Sequence, residues 1–327
     1  MNIEFHYYIL YIISRKAGFS ENEAYILAYS SQYVDTNVAP VIIAHESGTF
    51  QAMVTHNYSF WNTKFPKEIY MPFHFFPGGS TKPSQMEGEK QKPVVCQPGA
   101  KPVRTLLEKA LRTGNLYRIG IALHTYSDSF AHQNFTGFIE PWNELSPDSP
   151  IPALGHAQAG TKPDKLDLQW VDTRLDKKYR KINNRRRFIS AVHMIYKFLS
   201  TFNGRNFNDA DLIIEELQDL IGRPGEEPAM EERILNYIVE EDIPQFNESE
   251  WLADAAYTST DPYADYMPKS NAAQWLKDTV LHEWSNMPRK RLKAKENFYK
   301  SHFYKWHTAA EQHKAEAKNI LSHYNLL

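Results

Sequence analysis

Three residues near the middle of the chain have the types and the spacing to share metal ions. His124, Asp128 and His132 fall at i, i+4 and i+8 within Leu123-His124-Thr125-Tyr126-Ser127-Asp128-Ser129-Phe130-Ala131-His132. The run before them, Tyr117–Leu123, has no proline and reads as helix. On a helix each four-residue step turns the side chain by only about 40°, so the three share one face, spread over roughly 12 Å of axis. Neighbours four apart can hold one ion, whereas the outer pair cannot. The stripe therefore suits two or more ions with Asp128 in the middle. Imidazole and carboxylate are ligands that zinc and similar divalent metals take. The competing reading is plain structure. Ala122, Leu123, Phe130 and Ala131 make the helix largely apolar, and a polar stripe buried on such a helix needs partners of some kind.

Other residues of ligand type must be brought to this face by the elements that carry them. His6 stands near the start of a first predicted helix, Glu4–Ala17, which Gly18 stops. Ser20 and Glu23 form a capping box that opens a second helix, ending near Asp35-Thr36-Asn37. Asp35 there opposes the helix macrodipole unless a cation compensates. His56 closes an extended stretch, Val38–Ser59, in which Gly48 parts two apolar runs and predicts a short hairpin or an irregular loop. His156 and Asp164 lie on a loop bounded by glycine and proline, a setting that often carries function but that also fits a solvated surface loop. His45 and His74 are spare candidates. His74 ranks higher because it sits in the block Met71-Pro72-Phe73-His74-Phe75.

The remaining chain is mostly helical in pattern. Pro102–Thr113 reads as a helix stopped by Gly114, and Phe188–Phe202 as a helix preceded by a basic, solvated start, Arg174–Arg187. Beyond Asn203 the pattern predicts helices over Ala210–Ile221, Ala229–Glu241, Glu248–Tyr257 and Asn271–Trp284. Arg289–His323 has neither proline nor glycine and predicts one long helix, solvated or facing a protein partner. The expected architecture is all-α, a multi-helix bundle around a central metal-binding helix, with irregular loops and at most a minor β-hairpin. Residues 1–202 would form the metal-site helical domain, and residues 203–327 a helical extension packed on it or facing a partner.

At 327 residues the chain can bury a large core, and 42% hydrophobic residues suit a globular protein. A net charge of −2 gives no global field that argues for nucleic acid or an anionic membrane. The single cysteine, Cys96, excludes an internal disulfide and fits a reducing compartment. Met1–His6 carries an acid where a secretory signal has basic residues, and no stretch approaches the roughly 20 apolar residues of a membrane span. The expected location is the cytoplasm, with non-classical secretion as the alternative.

Taken together, these blocks resemble a known group of proteins. Phe5-His6-Tyr7-Tyr8, Ala28–Asp35, Met71–Phe75, Leu123–Gly137 and Gly155–Asp164 look like an uncharacterised bacterial all-helical family. That family distantly resembles the superfamily of zinc-dependent phospholipases C and P1/S1-type nucleases. The resemblance covers roughly residues 1–200. It implies an all-α protein with a three-zinc cluster built around a His-x3-Asp pair on a central helix. Carried over, His124 and Asp128 match that pair, with Asp128 bridging two ions. Asp35 and His56 would complete one ion's shell, His132 and His156 would sit on another, and His6 would hold the third with Asp128.

Three departures bear on this. The enzymes use an N-terminal amine as a ligand, whereas this chain starts Met1-Asn2-Ile3, with Glu4 as a candidate substitute. They carry a later His-x3-Glu pair, where here His156 is followed by Gly160 and only Asp164 is at hand. The His124–His132 spacing is also tighter than their usual pattern, so one to three zinc ions, or another divalent metal, are expected.

The resemblance implies hydrolysis of a phosphate ester, with a phospholipid head group, a nucleic acid or a small phosphate ester as substrate. Asp35 and Asp128 are the candidate catalytic residues, either of which could orient the attacking water. Tyr58, Phe60, Trp61, Phe73, Phe75 and Phe76 could line an apolar entrance for acyl chains, or pack the core. Two alternatives stand beside the hydrolase. One is a catalytically inactive helical scaffold, with or without metal, and the other is a bacterial toxin or effector using the same site. An HD-type phosphohydrolase is disfavoured because no adjacent His-Asp pair occurs.

Overall fold

The computed structural model describes residues 1–38, 40–57, 64–79, 85–86, 88, 92–222, 229–257 and 291–327. Among them the α-helices are α1 (Leu10–Lys16), α2 (Glu21–Thr36), α3 (Lys101–Arg112), α4 (Leu116–Ala131), α5 (Asn184–Phe202), α6 (Ala210–Ile221), α7 (Met230–Glu240), α8 (Glu250–Ala255) and α9 (His302–His323). The strands are β1 (Ile42–His45), β2 (Gly48–Gln51), β3 (Gln169–Val171), β4 (Lys181–Asn183), β5 (Ala256–Tyr257) and β6 (Arg291–Ala294). Two π-helical stretches, Glu4–Ile9 and Pro66–His74, complete the regular structure that matters for the site.

α4 is the axis of the molecule. Asn115 caps its start by accepting from the amides of Tyr117 and Arg118. Every residue from Ile119 to Ala131 is buried, as expected of a helix packed on all sides. α2, α3, α5, α9 and the π-helical stretch Pro66–His74 all pack on it. Its hydroxyl residues are satisfied locally: Ser127 and Ser129 donate to the carbonyls of His124 and Tyr126, so a polar helix can be buried at small cost. α2 lies against α4 at Gly120, where a Cβ would come 2.5 Å from both the Leu27 carbonyl oxygen and the Ser30 Cβ. That close approach sets Asp35, near the end of α2, beside the His124–Asp128 face. The Ser20–Glu23 capping box forms as the sequence predicts.

The fold is mostly helical, but it is not all-α. The expected hairpin exists as β1–β2, and it is the edge of a four-stranded sheet in the order β2-β1-β6-β5, with β1 and β6 parallel. β3 and β4 form a second, two-stranded sheet. Strands of two to four residues pairing across the whole chain leave no periodic signature to read. The basic stretch before α5 is correspondingly not a solvated helix start. It contains β4, and Arg174 is buried, forking onto Asp172 at 2.9 and 2.6 Å.

The long C-terminal helix is shorter and better buried than its pattern predicts. β6 and a single turn at Phe298–Lys300 precede α9, which Ser301 caps. α9 is not solvated along its length. Phe303, Trp306, His307, Ala310, His313 and Leu321 are buried in the core that it shares with the first half of the chain. The predicted helix Asn271–Trp284 and the aromatics Tyr58, Phe60 and Trp61 lie outside the described residues. Among the described residues, no helix is long and apolar enough to cross a membrane.

The Gly120 contact is testable. Gly120→Ala places a methyl group against backbone that cannot move aside, so overpacking should lower stability by about 1–3 kcal/mol. An unchanged midpoint in chemical denaturation would mean that the α2–α4 approach is not a constraint.

Candidate metal centre

Nine side chains of ligand type converge at the α2–α4 contact. Asp35 comes from the last turn of α2, and His124 and Asp128 come from α4. His132 is the first residue beyond α4, at φ −85° and ψ 16°, close enough to helical geometry to keep the stripe's direction. His6 lies inside one π-helical stretch and His74 ends the other. The wider π turn re-aims side chains relative to an α-helix and is found disproportionately at functional sites. His56 sits in irregular chain after β2. His156 precedes a single turn at Ala157–Ala159, and Asp164 ends another at Lys162–Asp164. Gly155, at φ +51°, lets this loop approach the Phe75 ring, which a Cβ would meet at 2.4 Å.

These residues form three groups, in each of which three candidate ligand atoms lie within 4.8 Å of one another: His6, His124 and Asp128; Asp35, His56 and His74; and His132, His156 and Asp164. Each span is one that an ion with bonds of about 2.0–2.2 Å could close with small side-chain shifts. The groups interlock. Asp128 Oδ2 lies 3.2 Å from His124 Nε2, 3.3 Å from His74 Nδ1 and 3.7 Å from His132 Nδ1, and Asp128 Oδ1 lies 3.2 Å from His6 Nε2. Asp35 Oδ1 lies 3.6 Å from His124 Nε2 and 3.7 Å from both His56 Nδ1 and His74 Nδ1. Asp164 Oδ1 stands 3.2 Å from His132 Nε2, and its other oxygen 3.5 Å from His156 Nε2. The Met1 main-chain nitrogen contacts Asp128 and is 3.4 Å from Asp164.

Hydrogen bonds to main-chain carbonyls fix which nitrogen of several rings faces inward. His74 Nε2 donates to the Thr55 carbonyl at 2.9 Å, His132 Nδ1 to the His74 carbonyl at 2.8 Å, and His156 Nδ1 to the Gly160 carbonyl at 2.9 Å. A carbonyl only accepts, so these nitrogens carry the hydrogens. Each ring is left with its other nitrogen turned toward a carboxylate. Two acceptors facing each other repel unless a proton or a cation lies between them. Metal-binding histidines are commonly held by this kind of outer hydrogen bond.

Burial decides against protons at several of these positions. Burial, then the neighbouring His124, lowers His6 to about 3, so its ring is neutral at ordinary pH. Burial likewise lowers His56 and His156, against the pull of Asp35 and Asp164. Burial also works against charge on His74, but Asp128 and Asp35 outweigh it and raise its pKa. Burial opposes charge on Asp35, Asp128 and Asp164 as well. The surrounding imidazoles, joined at Asp128 and Asp164 by the Met1 ammonium, overcome it and hold all three below the usual carboxylate range. Among the described residues, no lysine or arginine lies within ion-pair distance of the three. Beside the Met1 ammonium, which contacts Asp128, the cluster is a nitrogen-rich cage with three carboxylates that can geometrically hold metal ions. Asp35 adds to the demand for positive charge, since it stands at the unfavourable end of α2.

A sequence profile described as a family of unknown function matches residues 1–321. The chain belongs to the DUF6765 family. No curated protein and no solved structure matches it.

All eight residues named from the DUF6765 sequence as candidate ligands are in the cluster, and the groupings differ from those expected in two respects: Asp164 joins His132 and His156, and His74 joins Asp35 and His56. His74, ranked only as a spare, stands between Asp35 and Asp128. Its signal was the Pro72-Phe73-His74-Phe75 block, without any spacing that ties it to the helix stripe. His45 is not part of the cluster; it bonds Ser47 next to the β1–β2 turn. Glu4 is no substitute ligand, because Arg233 and Tyr237 take both its oxygens. The supporting roles of Ser31 and Ser127, each 3.4 Å from His6 Nδ1, left no mark in the sequence.

Two histidines outside the cluster make acid sensitivity predictable. Burial lowers both His307 and His313 from 6.5 to about 3. The unfolded chain takes up their protons first, so stability is full above about pH 6.5 and falls as pH drops toward 3. Each contributes about 1.4 kcal/mol per pH unit inside that window. Denaturation of chelator-treated protein between pH 7 and 4 should show this slope, and His307→Gln should flatten it by about one proton. A slope unaffected by His307→Gln would show that this ring is not held neutral.

Proposed function

We propose that this DUF6765 chain is a zinc-dependent phosphoesterase that hydrolyses a phosphate ester in the manner of a phospholipase C or a P1/S1-type nuclease. The observation that carries the reading is the sharing of Asp128 and Asp35 among adjacent His/Asp groups with no lysine or arginine beside them. Six imidazoles against three carboxylates favour zinc over a metal that prefers oxygen. Bound divalent ions would supply a water of lowered pKa and a positive clamp for the phosphate oxygens.

The chain's own groups divide the remaining work by exposure. Asp128 is 1% exposed and enclosed by four imidazoles, so it holds and orients ligands. Asp35 is 25% exposed, and His56, His156 and Asp164 are also partly open, so the site faces solvent on their side. A phosphate ester would approach there, and Asp35 would orient the attacking water. Phe75 stacks on His132 with ring centroids 4.6 Å apart and forms one wall. Phe73 and Phe76 are fully buried and pack the core, and so contribute nothing to an apolar entrance.

Elemental analysis of protein purified without added metal or a metal-affinity tag tests the reading. Wild type should carry two or more equivalents of zinc, lost in His124→Ala and Asp128→Ala. Phosphodiester or phospholipid hydrolysis should fall by at least about 100-fold in both, beyond what loss of an outer hydrogen-bond partner usually costs. Zinc without turnover would favour the inactive scaffold. Well-folded wild type that takes up no zinc when it is offered would end the hydrolase reading.

A further inference from the structure

Arg233 lies on α7, in the last third of the chain, and is 1% exposed. Its guanidinium forks onto Glu4, with Nε donating to Oε1 at 2.6 Å and Nη2 to Oε2 at 2.8 Å. Nη1 donates to Asp167 Oδ2 at 3.1 Å. Tyr237, one turn further along α7, donates its hydroxyl to Glu4 Oε1 at 2.9 Å. A second contact joins the same elements, Asn2 Nδ2 to the Met230 sulfur at 3.1 Å. Glu4 is two residues before His6 and three after Met1, and Asp167 is three residues after Asp164.

Two of the segments that build the cluster therefore meet on one buried side chain. Met1 and Asn2 lie just before the helix that carries His6, and the loop carrying Asp164 has only single-turn structure of its own. That helix packs on α2 and on α7, so α2 sets part of its distance from α4, whereas the loop has no helix or strand of its own to set it. A planar fork with fixed donor directions can set both at once, which a flexible ammonium or an apolar side chain cannot. Asn184 holds the same loop from its other side, donating to the carbonyls of Lys162 and Lys165 at 2.6 and 2.8 Å.

We infer that Arg233 is a positioning residue of the metal cluster, tying Glu4 and Asp167 together so that His6 and Asp164 stand at ligand distance from Asp128 and His132. The inference rests on the zinc reading above. It makes residues beyond 202 part of the site, although no candidate ligand comes from them.

Zinc binding and stability, measured separately, distinguish a clamp from ordinary buried structure. The variants are Arg233→Lys, Asp167→Asn and the paired Glu4→Met/Arg233→Met, which removes the whole charge pair and so leaves no unpaired buried ion. In chelator, the paired variant should unfold within a few degrees of wild type. Its zinc affinity in competition with a chromogenic chelator should nevertheless be about 10- to 100-fold weaker, the usual cost of losing an outer partner. Arg233→Lys, which keeps the charge and loses the fork, should also bind weakly. Asp167→Asn acts at a partly exposed position and keeps the test available if the paired variant does not fold; it too should bind more weakly.

Folded variants with wild-type zinc stoichiometry and affinity would overturn the clamp and leave the zinc reading standing. Recovery of full affinity in Arg233→Lys would overturn the requirement for the fork. Wild type without zinc would overturn both the zinc reading and this inference.

Discussion

Three carboxylates withdrawn from water at one place, with imidazoles as neighbours and no lysine or arginine among them, set the terms for the rest of the molecule. Removing a carboxylate from water costs several kcal/mol unless positive charge answers it. Here the answering groups are the Met1 ammonium, which contacts Asp128, and rings that burial itself works to keep neutral. Such an arrangement sets two conditions, a rigid scaffold around it and ligand atoms placed so that cations could complete it. The scaffold meets the first condition by enclosing α4 on every side, drawing α2 onto it at Gly120, and closing the remaining faces with α3, α5 and α9. The inward-facing ring nitrogens of His74, His132 and His156 express the second.

The sequence made the centre legible to different depths. The stripe His124-Asp128-His132 could be read because helical periodicity ties spacing to direction, and α4 keeps that direction as far as its last residue. Asp35 could be read because an acid at a helix end calls for compensation. His156 and Asp164 are legible as candidates from their loop bounded by glycine and proline, whereas the resemblance ties His6 and His56 to the site; no period links these four to one another. His74 was under-ranked for a related reason. It ends a π-helical stretch that contains Pro72, and a proline inside an apolar, aromatic run reads as a turn. The groupings could not be read at all, since which histidine faces which carboxylate depends on carbonyls such as those of Thr55 and Gly160.

The fold shows the same division. The ends of α2, α3, α5 and α6 fall within a few residues of their predicted places, because caps, glycines and amphipathic periods are local signals. Apart from the β1–β2 hairpin the short strands escaped, since pairing between remote segments of two to four residues is decided by tertiary fit. α9 was misjudged for an instructive reason. Its lysines suggested solvent, yet long cationic side chains can lie outward from a helix whose Phe303, Trp306 and Leu321 are buried.

The parallel pairing of β1 with β6 joins Ile42 to Arg291 and Ala44 to Lys293. A chain made from its first residue onward has therefore presented every side chain of the cluster long before the strand that completes the sheet exists. Contacts so distant in sequence are slow to form, because the entropy of closing the intervening loop is lost before any contact rewards it. During that interval the histidines and aspartates are open to water and to whatever ions surround them. Any ion that the cage takes up would then depend on when the late segments arrive as well as on how the finished cage is shaped.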